Sequence, residues 1–213
     1  MTEHIQPDLF ADAPAPPAFL FFDTETTGLP RSWNAPVTDL ANWPRLVQLA
    51  YMAYDADGNL LASVDTLIRP AGFVIPEESS RIHGITTERA LREGRDLAEV
   101  LKEFRALLDR TRFLVAHNIS FDEKIIGAEF LRAGMPDIPA SVIKICTMHS
   151  TTEYCEIPGA RGYKWPKLAE LHRKLFEADF EGAHNAASDV AATVKCFWEL
   201  RRRGIIRVSD FAF

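Results

Sequence analysis

The segment AFLFFDTETTG, residues 18–28, constrains the chain more than any other, because a run of bulky apolar side chains ends abruptly in acids. Such a run reads as a β-strand. Asp23 and Glu25 stand two apart at its end, and the period-two geometry of a strand turns both side chains to the same face. Two carboxylates therefore converge where the strand stops. Taken alone, the pair reads equally well as exposed turn acids. The following Thr26-Thr27-Gly28 adds a glycine turn whose backbone N–H groups can approach a bound nucleotide.

The remaining chain supplies partners for this strand. LVQLAYMAYD (46–55), the turn residues ADGN and LLASVDTLIRP (60–70) read as a hairpin, which implies three neighbouring strands. After a passage containing Pro and Gly, DLAEVLKEFRALLDR (96–110) has helical periodicity, and FLVAHN (113–118) reads as a short buried strand leading into another helix. Ser120 and Glu123 have capping-box spacing at that helix start, with Ile119 as the hydrophobic staple and Asp122 in the first turn. PKLAELHRKLF (166–176) reads as a helix opened by Pro166, and HNAASDVAATVKCFWELRRRG (184–204) as a long helix ending in basic residues and glycine. The plan is a mixed sheet flanked by helices. PRSWNAPVTDLANWPR (30–45) separates the first two strands by more residues than a hairpin loop uses. Trp33 and Trp43 are expected to pack that loop onto the domain, with base stacking as the alternative.

At 213 residues the chain suffices for one well-buried core. Residues 1–17 contain four prolines and no periodicity, so the expected division is an N-terminal tail (1–17), a catalytic domain (18–205) and a C-terminal tail (206–213). No apolar run reaches membrane-spanning length and the N-terminus lacks signal-peptide features, so a cytoplasmic location without membrane contact is expected. Cys146, Cys155 and Cys196 form no CxxC pair, and buried thiols are favoured over a disulfide framework. A zinc site from Cys146, His149, Cys155 and His172 would have irregular spacing and is disfavoured. The formal charge of −6 argues against coating nucleic acid by bulk electrostatics. It does not exclude a nucleic-acid enzyme, because a site for divalent cations concentrates carboxylates.

Asp122 alone reads as a helix-start acid favoured by the macrodipole. Asp189 is less expected, in an Ala/Val-rich helix, and His184 five residues earlier has a capping or surface alternative. Together, FFDTETTG, HNISFD and HNAASD occur in this order on a strand end, a helix start and a late helix. Here the sequence resembles the DEDDh exonucleases of the ribonuclease H-like superfamily, which include the proofreading subunits of bacterial replicative DNA polymerase. The resemblance implies an α/β fold with a mixed five-stranded sheet flanked by helices. It implies 3′-to-5′ hydrolysis of nucleic acid to nucleoside monophosphates with two ions of Mg²⁺ or Mn²⁺. Asp23, Glu25 and Asp189 then match metal ligands, Asp122 a supporting ligand, and His184 the general base.

Independently of the family, two cations roughly 3.5 to 4 Å apart can serve both the attacking and the leaving oxygen of a phosphodiester. A histidine with an unperturbed pKa of about 6.5 can take the water's proton at neutral pH. The resemblance also places Thr26, Thr27, Gly28, Glu78, Ile82, His83, His117, Asn118 and Phe121 around the terminal nucleotide. Glu78 and His83 read alternatively as a surface acid and a loop histidine, and Phe121 as core. The expected partner is a nucleic-acid 3′ end, DNA in preference to RNA. An RNA exonuclease is the same-class alternative, and a non-catalytic nucleic-acid-binding module the more remote one. In the tail, Gln6-Pro7-Asp8-Leu9-Phe10 resembles the peptide that binds the bacterial sliding clamp, although packing of Leu9 and Phe10 onto the domain is the favoured reading.

Overall fold

β1 (Phe19–Thr26), β2 (Leu46–Tyr54) and β3 (Leu60–Leu67) pair antiparallel, and β4 (Phe113–Ala116) and β5 (Ile143–Cys146) extend the sheet in parallel beyond β1. The resulting order is β3-β2-β1-β4-β5, with β1 at the centre. The computed structural model describes residues 16–182 and 185–211. The helices are α1 (Glu77–His83), α2 (Thr87–Glu93), α3 (Leu97–Leu108), α4 (Ile119–Arg132), α5 (Thr147–Ser150), α6 (Thr152–Cys155), α7 (Leu168–Phe176) and α8 (Ala186–Arg202). A short hairpin of β6 (Pro158–Gly159) and β7 (Gly162–Tyr163) precedes α7. A 3₁₀ turn spans Val208–Phe211.

Alternation along β1 divides the core into two layers. Leu20 and Phe22 face one side, where they join Leu101 and Phe104 of α3 and Ile125 and Phe130 of α4. Phe19 and Phe21 face the other, against Leu171 of α7 and Val190, Val194 and Phe197 of α8. Phe22 meets Phe104 at a centroid separation of 5.7 Å, and Phe21 meets Phe197 edge-on at 5.1 Å. Burial of each such ring stabilises the fold by about 1.5 to 3 kcal/mol. The side-chain amide of Gln48, 2% exposed, donates to Asp65 at 2.6 Å and accepts a long 3.4 Å bond from the backbone N–H of Ala186. It thereby ties the first turn of α8 to the sheet.

The loop between β1 and β2 is anchored by charge. Glu129, fully buried on α4, meets Arg45 at 2.8 Å and Arg132 at 3.0 Å and accepts from the Leu46 N–H at 3.0 Å. Arg132 in turn donates to the carbonyls of Leu40 and Trp43, each at 2.7 Å. The two loop tryptophans differ. Trp43 is buried and donates to the Pro36 carbonyl at 3.0 Å, whereas Trp33 is 56% exposed.

Several local expectations are corrected. Residue Asn118, in the left-handed conformation at φ 72°, stands at the N-cap of α4 and no side chain caps this end, so the Ser120/Glu123 capping box does not form. Ser120 donates to the Asn118 side chain at 3.1 Å, and Glu123 pairs with Lys144 at 2.6 Å. Ile119 is the first helical residue, not a staple ahead of the cap. Pro166 lies outside α7, whose N-cap is Lys167; the Glu170 carboxylate accepts the Lys167 N–H at 2.7 Å. Beyond residue 205, Ile206 is buried and Val208 and Phe211 pack against the α7–α8 layer.

Candidate active site

The parity that splits the core also sorts the acids. Asp23 and Glu25 continue the face of Phe19 and Phe21, toward α8, and Asp189 in the first turn of α8 meets them there. One carboxylate oxygen from each of the three lies within 4.8 Å of the others. Thr24, of opposite parity, turns toward α4, where its backbone N–H and hydroxyl both donate to Asp122 Oδ1 at 3.0 and 2.7 Å. The site thus forms at the carboxyl end of the central strand, with one acid held from the second layer.

The electrostatics follow from crowding acids in a half-buried place. Burial raises the Asp23 carboxyl well above the usual carboxylate range, and Asp122, Asp189 and Glu25 raise it further. Burial, then Asp189 and Asp122, push Glu25 up to about 7. Burial also pushes Asp122 up to about 7, against the lowering effect of the two Thr24 hydrogen bonds. Removing these protons at neutral pH calls for a compensating positive charge. The trio of hard oxygen donors within 4.8 Å fits a divalent cation. Among the described residues, no other group of three or more His, Cys, Asp or Glu side chains has such geometry, so the four residues Cys146, His149, Cys155 and His172 make no zinc site. The three cysteines are free and buried.

A cleft of ≈ 620 Å³ opens over the acids, lined further by Leu29, His117, Asn118, Phe121, Lys167 and Leu168. His117 Nε2 donates to the Pro166 carbonyl at 2.9 Å, which leaves Nδ1 to accept from the Thr147 hydroxyl at 3.0 Å. Burial depresses this histidine to about 4, so it is a neutral strut between β4 and the segment before α7. A second cavity of ≈ 210 Å³ adjoins the first, sharing Thr24, Glu25, Leu29 and Phe121 and adding Thr26, Gly28, Ser79, Ile82 and His83. His83 Nδ1 accepts the Ile85 N–H at 3.1 Å. Burial lowers its pKa, while the Thr26 backbone works in the opposite direction.

Two expected residues stand apart. Thr27 exchanges hydrogen bonds with Arg45, its hydroxyl accepting the Arg45 N–H at 2.9 Å, and it does not line either cavity. Glu78 is exposed on α1, one turn before Ile82, and lines neither cavity. Thr24, Leu29, Lys167 and Leu168 were not singled out by sequence reasoning; only the parity of Thr24 against Asp23 and Glu25 offered a signal. His184 lies outside the described residues. Its neighbour Asn185 caps α8, accepting from the N–H groups of Ala187 and Ser188 at 3.2 and 3.3 Å. The peptide-like residues 6–10 also lie outside the described residues.

Comparison with known proteins gives concordant findings. The family description RNase_T, "Exonuclease", matches residues 20–197. A PolC-type DNA polymerase III of Streptococcus sanguinis is 32% identical over 175 residues, covering 82% of this chain and 10% of that protein. The DNA polymerase III subunit epsilon of Treponema pallidum is 28% identical over 180 residues, covering 84% of this chain and 74% of that protein. In three dimensions, E. coli exonuclease I in complex with a dT13 oligonucleotide superposes with a TM-score of 0.69 at 22% identity, covering 87% of this chain and 41% of that one. The chain therefore spans a small part of the PolC-type relatives and less than half of that structure.

Proposed function

The chain belongs to the RNase_T exonuclease family, and from that premise we propose that it removes nucleotides from the 3′ ends of DNA by metal-dependent hydrolysis, releasing nucleoside monophosphates. The observation that carries this reading is the convergence of Asp23, Glu25 and Asp189 within 4.8 Å in the lining of a cleft of ≈ 620 Å³. These three would hold the cation site, and Asp122, fixed by Thr24, would support a second ion from the opposite layer. Bound Mg²⁺ or Mn²⁺ supplies Lewis-acid stabilisation of the phosphate charge and of the attacking and leaving oxygens. His184 would accept the proton of the attacking water. Leu29, Ile82, His83 and Phe121 would surround the terminal nucleotide in the smaller cavity, whose ≈ 210 Å³ suits a single base. The polymerase-associated relatives favour DNA over RNA.

The deciding experiment incubates purified protein with 3′-labelled DNA and RNA of one sequence, with Mg²⁺ or Mn²⁺. Mononucleotides should appear from DNA faster than from RNA, Asp23→Ala should abolish them, and His184→Ala should slow them by about 10² to 10⁴ while sparing metal affinity. Intact substrates with both metals would end this reading. A sliding clamp remains a proposed partner through residues 6–10, and a calorimetric titration unaffected by Leu9→Ala with Phe10→Ala would remove it.

A further inference from the structure

The long loop between β1 and β2 is built to hold an indole in solvent. Asn42 clamps it, accepting the Ser32 N–H at 2.7 Å and donating to the Ser32 carbonyl at 3.0 Å, while its own carbonyl accepts the Arg31 N–H at 3.3 Å. Trp33, the next residue, is thereby fixed at its base. Trp43 and Arg132 hold the far end of the loop, as described above. With both ends secured, the loop buries Trp43 and leaves Trp33 56% exposed. An exposed indole on a mobile loop would be unremarkable; one held in place by this many bonds forgoes burial that a small rearrangement would otherwise gain.

The position of Trp33 indicates what covers it. Its ring lies 5.7 Å from that of Phe121, tilted by 51°. Phe121 in turn borders both the acidic cleft and the smaller cavity beside Ile82 and His83. An aromatic surface therefore continues from the site outward to Trp33. From this juxtaposition we infer that Trp33 is a stacking platform for an unpaired base adjoining the terminal nucleotide of a single strand. The inference rests on the proposed function, and it adds to that reading a subsite for the base next to the terminal nucleotide. Every base has a π-face, so such a platform gives affinity without sequence preference. A base held in a duplex is already stacked and paired, and gains nothing from the indole until it is freed.

The test measures binding with Ca²⁺ in place of Mg²⁺, using a 5′-fluorescein dT8 oligonucleotide and, as competitor, dTMP. Trp33→Ala should weaken dT8 by about tenfold, Trp33→Phe by less, and dTMP should compete equally well against all three proteins once dT8 occupancy is matched. Unchanged dT8 affinity in Trp33→Ala overturns the inference. So does a parallel loss of dT8 and dTMP, which would mean that the tryptophan merely supports the fold. Failure of the wild type to cleave DNA with Mg²⁺ would strike the proposed function instead, and the binding comparison would still decide the role of Trp33.

Discussion

Glu25 and Asp122 are pushed up to about 7 because burial and neighbouring acids disfavour their charged forms. The folded, metal-free protein therefore binds more protons than the unfolded chain between the ordinary carboxylate range and neutrality. Stability from these groups is present at acid pH and is lost as pH rises through about 7. His117, depressed to about 4, acts oppositely, adding stability as pH rises toward the unperturbed histidine value of about 6.5. The carboxylate effect is thus read above that value. In EDTA the melting temperature should fall between pH 6.5 and 8, and Glu25→Gln should flatten the fall; scanning calorimetry that finds equal slopes would remove Glu25 as its source. The pairing of Asp23 with Glu25 was legible in the sequence because strand parity is a simple period, whereas Asp122 and Asp189 joined them only through the resemblance carried by the three motifs together. The partnership of Thr24 with Asp122 was not, since it depends on which layer packs behind β1.

At the scale of elements, Glu129 joins α4 to the start of β2 and to the loop carrying Trp33. It is fully buried between Arg45 and Arg132, so truncation leaves two guanidinium groups without their anion. Glu129→Ala should cost about 3 to 5 kcal/mol, measured by urea unfolding, with the loop between β1 and β2 opening to protease first. A cost under about 1 kcal/mol would show that water replaces the carboxylate. The hairpin of β2 and β3, the helices α3 and α8 and the strand β4 could all be read from periodicity. Helices α1 and α2 could not: each has seven residues, within a Pro- and Gly-containing passage, and ends at a glycine. β5 escaped as well, because four residues, IKIC, carry too short a pattern to separate from a loop. The start of α4 misled for a different reason. Its cap is a backbone conformation of Asn118 at positive φ, which capping-box spacing does not report.

Across the whole molecule, the site is assembled from two layers on opposite faces of the sheet. Asp189 arrives with α8 on the Phe197 side and Asp122 with α4 on the Phe104 side, while β1 carries Asp23 and Glu25 between them. Cavities in either layer should therefore weaken the site from a distance. Phe197→Leu and Phe104→Leu should each lower Mn²⁺ affinity measured by calorimetry, although neither side chain belongs to the acid cluster; unaltered affinity in both would mean that β1 alone sets the geometry. A bound cation here would rivet the two layers together, so a slip between them too small to register as unfolding would disarm the chemistry. The working range on heating should accordingly end several degrees below the melting point, an inactivation that cooling reverses because nothing has come apart.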